Sequence, residues 1–166
     1  MESPVEGRHG RLRSPLVLPE GVEAGLIGGL TVAAVFFVRD VWIGAPMHTP
    51  SVLGTLLMSG ADAVRARAPF AGAAALYHTV HFLAWVALGF AGSALMAHAE
   101  RTRTRWLPPL AALLALVPLA VLDVYVRTAQ LERMHLWLGG LAGIFAMGAF
   151  LAWRHPSAVR SEAGEG

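Results

Sequence analysis

The sequence of 166 residues contains no cysteine and no lysine, and all thirteen of its basic residues are arginine. The lack of cysteine excludes disulfides, thiolate zinc sites, iron–sulfur ligation and c-type haem attachment. The lack of lysine excludes a Walker A phosphate site, a Schiff base to pyridoxal phosphate or retinal, and a lysine nucleophile. Several large classes of enzyme and cofactor protein are therefore ruled out by composition.

Charged residues are also scarce, at 14%, whereas hydrophobic residues make up 55% of the chain. The apolar residues form four blocks, at residues 22–43, 77–97, 106–126 and 134–153. Each block is about 20 residues long, which matches the roughly 30 Å hydrocarbon thickness of a bilayer. None carries the polar stripe of a helix in a soluble bundle. We therefore predict an all-α membrane protein with a four-transmembrane-helix bundle.

The predicted domain organisation follows from these blocks. Residues 1–20 are expected to be a mobile polar N-terminal tail, residues 21–154 a single transmembrane domain, and residues 155–166 a polar C-terminal tail. The N-terminal stretch lacks the apolar core of a cleavable signal peptide, so the first block is expected to be an uncleaved anchor. The abundance of Ala, Gly, Leu, Val, Pro and Arg is typical of a GC-rich genome. The sequence thus predicts a protein of a bacterial inner (plasma) membrane.

The arginines are divided unequally between the two sides of the predicted bundle. With the N-terminus inside, eight lie on the cytoplasmic side and five on the outer side. The eight are Arg8, Arg11, Arg13, Arg101, Arg103, Arg105, Arg154 and Arg160, and the five are Arg39, Arg65, Arg67, Arg127 and Arg133. The positive-inside rule then places both termini in the cytoplasm. Because the basic residues flank apolar blocks, a sequence pI near 9.9 does not indicate nucleic-acid binding.

Two features predict how the helices are joined and packed. Thr49 and Pro50 form an N-terminal helix signal in the long loop after the first block. Val52, Leu53, Leu56 and Leu57 then share one side, which predicts a short amphipathic helix in the outer interface. Small-xxx-small spacing, at Gly25 and Gly29 and again at Gly139 and Gly143, lets membrane helices approach closely.

Ionisable residues near the apolar blocks concentrate at the predicted outer face. Arg39 and Asp40 end the first block, Asp123 and Arg127 end the third, and histidines begin the second and fourth. Such groups are costly inside a bilayer and are candidates for function. A polar cluster is therefore expected on the outer half of the bundle, where any activity should lie. The Asp123–Arg127 spacing also suits a purely structural i,i+4 ion pair.

The histidines support a cofactor hypothesis. A b-type haem or a metal ion would be held between His78 or His81 on helix two and His135 on helix four. Asp40 or Asp123 would supply oxygen ligands to a metal. The alternative is that these histidines bond to backbone, water or a carboxylate. A third hypothesis uses the same aspartates and histidines as a proton or cation pathway in an oligomer.

Three segments carry a resemblance to known sequences: residues 25–29 through Arg39-Asp40, the turn at residues 49–54, and the start of helix two at residues 77–82. Together they resemble a family of small, uncharacterised bacterial integral membrane proteins. The resemblance covers roughly residues 22–153 and implies no activity and no functional residue.

The leading functional prediction is a small multi-pass inner-membrane protein that acts as an accessory or structural component rather than an enzyme. Its expected partners are the lipid bilayer and either further copies of the chain or a larger membrane complex. The haem or metal protein and the proton or cation pathway remain the alternatives.

Overall fold

A computed structural model describes residues 17–66, 71–104, 107–128 and 133–159 of the chain. This part is all-helical, with six helices in the order α1 (Val17–Trp42), α2 (His48–Ala66), α3 (Ala71–Thr102), α4 (Leu107–Thr128), α5 (Met134–Arg154) and α6 (Pro156–Val159). Of the predicted tails, residues 1–16 and 160–166 lie outside the described residues. Residues 17–20 of the predicted N-terminal tail belong to α1, and residues 156–159 of the predicted C-terminal tail form α6.

Four of these helices are long and apolar enough to cross a membrane. The qualifying stretches in α1, α3, α4 and α5 contain 25, 31, 18 and 21 residues. The predictions of an all-α fold and of four helices long and apolar enough to span a membrane are confirmed. Helix α3 is longer than its apolar block because strong helix formers, mainly alanine, continue the helix at both ends.

Helix α1 packs against both α3 and α5 over most of its length. A Cβ atom on Gly25 would lie 2.5 Å from the carbonyl oxygen of Trp85 in α3, and one on Gly143 of α5 would lie 2.8 Å from the carbonyl oxygen of Gly28. Backbones this close exclude any larger side chain. The predicted role of the small residues in helix packing is therefore confirmed at these positions.

The chain reverses direction after α1 through a short turn. Gly44 adopts a left-handed conformation with φ of 71°, which glycine tolerates without steric cost, and Met47 follows with φ of 67°. Helix α2 then starts at His48, and the eight residues at positions 49–56 are all buried. Residues 57–60 are exposed, and after a break at Gly60 the helix has three exposed and three partly buried residues.

The helix ends meet at two ends of the molecule. At one, which we call the Asp40 end, α1 and α4 finish and α2, α3 and α5 begin. At the other, the His155 end, α1 begins and α3 and α5 finish. Helix α4 is the most loosely held, since 22% of its apolar stretch is buried, against 39% in α1 and α3.

Candidate functional site

The first polar cluster, the Asp40 cluster, consists of Arg39, Asp40 and Thr49. Asp40 is fully buried, and its carboxylate accepts hydrogen bonds from the backbone N–H and the hydroxyl of Thr49, both at 2.6 Å. Arg39 forms an ion pair with the same carboxylate at 3.2 Å. The first N–H groups of a helix have no partner within it, so Asp40 caps α2 from outside. Thr49 thus binds the end of α1 rather than capping its own helix.

The second group, the Asp123 cluster, consists of Asp123, Arg127, Arg133 and Trp137. The Asp123 carboxylate accepts hydrogen bonds from Arg127 Nε at 2.7 Å, Trp137 Nε1 at 3.0 Å and Arg133 Nη1 at 3.3 Å. The i,i+4 ion pair with Arg127 is the structural pair that the spacing suggested. The other two donors come from the start of α5. The cluster therefore joins the end of α4 to the start of α5.

His81 is buried between α3 and α1. Its Nε2 donates to the carbonyl oxygen of Gly29 at 3.1 Å, and its Nδ1 lies 3.3 Å from the hydroxyl of Tyr77. With Nε2 protonated, Nδ1 accepts from the phenol. Both ring nitrogens are thus engaged, in the way expected of a histidine that bonds to backbone and a neighbouring side chain.

The three predicted cofactor histidines line three different cavities. His81 lies on a central cavity of about 220 Å³ with Tyr77 and Trp85, and His135 lies on one of about 120 Å³ with Arg39 and His48. His78 lines a third cavity, of about 330 Å³. Within the described ranges no group of three or more His, Asp or Glu side chains is placed to hold a metal ion. Haem or metal binding by these histidines stays a prediction.

A third group, the His155 cluster, was not predicted from the sequence. It consists of Glu20, Ser93, Glu100, His155 and Ser157. His155 Nε2 lies 2.6 Å from Glu20 Oε1, and Nδ1 lies 2.9 Å from Glu100 Oε2. Glu20 and His155 are almost fully buried, at 5% and 4% exposure. Three helix ends bring these groups together here, so buried polar groups lie at both ends of the molecule.

Each ring nitrogen of His155 lies against a carboxylate, Nε2 against Glu20 and Nδ1 against Glu100. Ser93 and Ser157 donate to Glu20 and Glu100, respectively, at 3.5 Å and 2.6 Å. Because each serine bonds a carboxylate rather than the imidazole, this is not the serine–histidine arrangement of a nucleophilic enzyme.

One sequence signal pointed towards this cluster. Glu20, Glu100 and His155 each flank an apolar block, and alternating helix direction places all three flanks on the same side. Their mutual contact still depends on how the helices pack. Comparisons of the chain with protein-family models, curated proteins and solved structures find no match.

Proposed function

We propose that this chain is an accessory or structural component of a bacterial inner membrane, which acts by associating with other membrane-spanning helices. The proposal rests on the observation that the buried ionisable groups join helices to one another. In each of the three polar clusters a buried acidic side chain is bonded to a different helix or helix end. Groups that hold helix ends together stabilise the fold. We therefore assign the function to the apolar exterior, through which the chain associates with other helices.

The proposed architecture is a four-helix transmembrane bundle made by α1, α3, α4 and α5, with both termini in the cytoplasm. In this orientation the Asp40 end faces outwards. The exposed residues 57–60 of α2 then lie in the outer interface, while its buried first half is anchored by Asp40.

The surface proposed for association is the exposed face of α4. This helix has the smallest buried share of the four and exposes a row of large apolar side chains, namely Leu113, Leu114, Val117, Val121 and Val124. Between membrane helices, association depends on packing rather than on the hydrophobic effect. A helix with few contacts inside its own chain has the most packing to gain from a neighbour.

The two alternatives have less support. For a proton or cation pathway, the close contact of α1 with α3 at Gly25, where even one methyl group would clash with the α3 backbone, leaves no space for water between these two helices at that position. For haem ligation, His81 would first have to release Gly29 and Tyr77.

Single cysteines in this cysteine-free chain test the association. We expect Val117→Cys on α4 to give a disulfide-linked or cross-linked product of one defined mass in membranes, as a dimer or as an adduct with one partner. Leu83→Cys on α3 is the matched control, because its side chain is also exposed and apolar. Absence of a product from Val117→Cys, or equal products from both variants, would contradict the proposal.

A further inference from the structure

The arginines at the two ends of the molecule differ in their partners. At the Asp40 end every described arginine forms an ion pair with a carboxylate, and these are Arg39, Arg65, Arg127 and Arg133. At the His155 end three arginines are exposed, namely Arg101, Arg103 and Arg154. Within the described part of the chain, no carboxylate lies within ion-pairing distance of any of these three.

The acidic groups of the His155 end have other partners. Both acids of the His155 cluster bond to His155 and to a serine rather than to an arginine. Glu23, the other described acid of this end, is exposed. The bond from His155 to Glu100 also holds the end of α3 beside the end of α5. Arg154 and Arg101 are the chain neighbours of these two residues, so both arginines lie at adjoining helix ends.

Arg103 occupies a backbone position that favours glycine. It has φ of 53°, and the N–H of Thr104 donates to the carbonyl oxygen of Ala99 at 3.3 Å, which closes the C-terminal end of α3. This is a Schellman arrangement, whose left-handed residue is usually glycine because a Cβ atom is unfavourable there. The exposed arginine regains none of this cost from an acidic partner within the described residues. A strained residue of this kind indicates a use for its side chain outside the fold.

The surroundings of these helix ends are the headgroup layer in the membrane architecture proposed above. The apolar stretch of α3 contains 31 residues, whereas about 20 suffice to cross the hydrocarbon core, so both ends of this helix reach the headgroups. Trp153 precedes Arg154 and is 72% exposed, and tryptophan is enriched at this depth. The exposed arginines of the His155 end therefore lie at the level of the lipid phosphates.

We propose that the His155 end binds anionic phospholipids through Arg101, Arg103 and Arg154. A guanidinium group pairs with two phosphate oxygens at once, and three such groups without acidic partners favour a headgroup with a net negative charge. The Asp40 end offers less, since each described arginine there already has a carboxylate partner. In the proposed orientation the His155 end lies in the cytoplasmic leaflet, whose anionic lipids attract basic residues. The proposal rests on the membrane architecture above and not on association through α4.

Two lipid probes, dioleoylphosphatidylglycerol and dioleoylphosphatidylcholine, test this preference by native mass spectrometry of the full chain in detergent micelles. They have the same acyl chains and both contain a phosphate, but only phosphatidylglycerol has a net negative charge. One basic residue near a charged membrane surface corresponds to about a fivefold change in affinity. We therefore expect phosphatidylglycerol to bind the unmodified chain tighter by about fivefold or more. Equal affinities for the two lipids would overturn the proposal.

Arg103→Gly is the sharpest variant, because stability and lipid binding should not fall together. Glycine suits the left-handed position, so the free energy of unfolding in lipid-free detergent should be equal or higher. The affinity for phosphatidylglycerol should fall about fivefold, while that for phosphatidylcholine stays unchanged. If the arginine instead serves to stabilise α3 through the helix dipole, the free energy of unfolding will fall and the lipid preference will stay, which would contradict the proposal.

Arg101→Gln and Arg154→Gln should each weaken phosphatidylglycerol binding by a similar factor. Arg65→Gln is the matched control and should keep the preference, because Arg65 is 47% exposed but paired with Asp62 at the other end. An equal loss in this control would show binding by any surface arginine and overturn the inference. Displacement of the lipid by excess inorganic phosphate at constant ionic strength would indicate a site for free anions and overturn it as well. None of these results affects the test of α4, because cross-linking is measured at a different surface.

Discussion

The Asp40 end and the His155 end of the molecule both bury acidic side chains, but they use them over very different distances along the chain. At the Asp40 end, Asp40 binds a residue nine positions away, and Asp123 binds residues four, ten and fourteen positions away. At the His155 end, the bonds span 55, 57, 73 and 135 positions. The bonds at the first end join consecutive helices. Those at the second end join the beginning of α1 and the end of α3 to the residues that follow α5.

This difference predicts different consequences of damage. Loss of the Asp40 or the Asp123 cluster is expected to change one helical hairpin. Loss of the His155 cluster is expected to separate the beginning of α1 from the end of α5. The two ends also differ in exposure, because Asp40 is completely buried while Glu100 in the His155 cluster is partly exposed. The burial of a residue determines how much its substitution lowers the free energy of unfolding. The sequence separation of its partners determines how much of the fold is affected.

We expect an all-or-none difference between the two ends in their labelling by thiol reagents. If the Asp40 end faces outwards, a membrane-impermeant thiol reagent added to intact cells should label Ser59→Cys in α2 and leave Val159→Cys in α6 unlabelled. Both positions are exposed in the structure. Labelling of both after permeabilisation is the control. Labelling of Val159→Cys in intact cells would reverse the proposed orientation.

The next largest effect is expected from Asp40→Ala. The change removes the acceptor of two buried Thr49 donors and the partner of Arg39, so the free energy of unfolding should fall by about 3 kcal/mol. Unfolding by SDS titration in mixed micelles, followed by tryptophan fluorescence, measures it. Asp62→Ala is the matched control, because Asp62 is 96% exposed and bonded only to Arg65 in the described residues. An equal decrease in the free energy of unfolding for the two variants would show that the Asp40 carboxylate does not stabilise the junction between α1 and α2.

A smaller effect is expected from His155→Ala. It leaves the Glu20 and Glu100 carboxylates facing each other, but Ser93 and Ser157 still donate to them, so the loss should be about 2 kcal/mol. A double-mutant cycle with Glu20→Ala should give a coupling of about 1 kcal/mol or more. Ser157→Ala, at the exposed rim of the cluster, should change stability by less than about 0.5 kcal/mol. If the two substitutions lower the free energy of unfolding in a strictly additive way, the bond between Glu20 and His155 does not stabilise the fold.

The residues of the site differ in how far the sequence predicts them. The Asp123–Arg127 pair follows from helical spacing alone, because positions i and i+4 are neighbours on any helix. The bond from Asp40 to Thr49 requires the left-handed turn at Gly44 and Met47, which the spacing does not specify. The three histidines share one side of the membrane in the sequence pattern, yet packing distributes them among three cavities.

The four apolar blocks are enough to predict the class of this protein. Their length is that of helices that span a bilayer, where only an internally bonded backbone is stable, and the glycine spacing already marked where helices approach. Which polar groups come into contact depends on how the helices pack. Helix order alone brings Glu20, Glu100 and His155 to one end of the molecule, whereas the close contact of α1 with α3 and α5 allows the groups at that end to form hydrogen bonds.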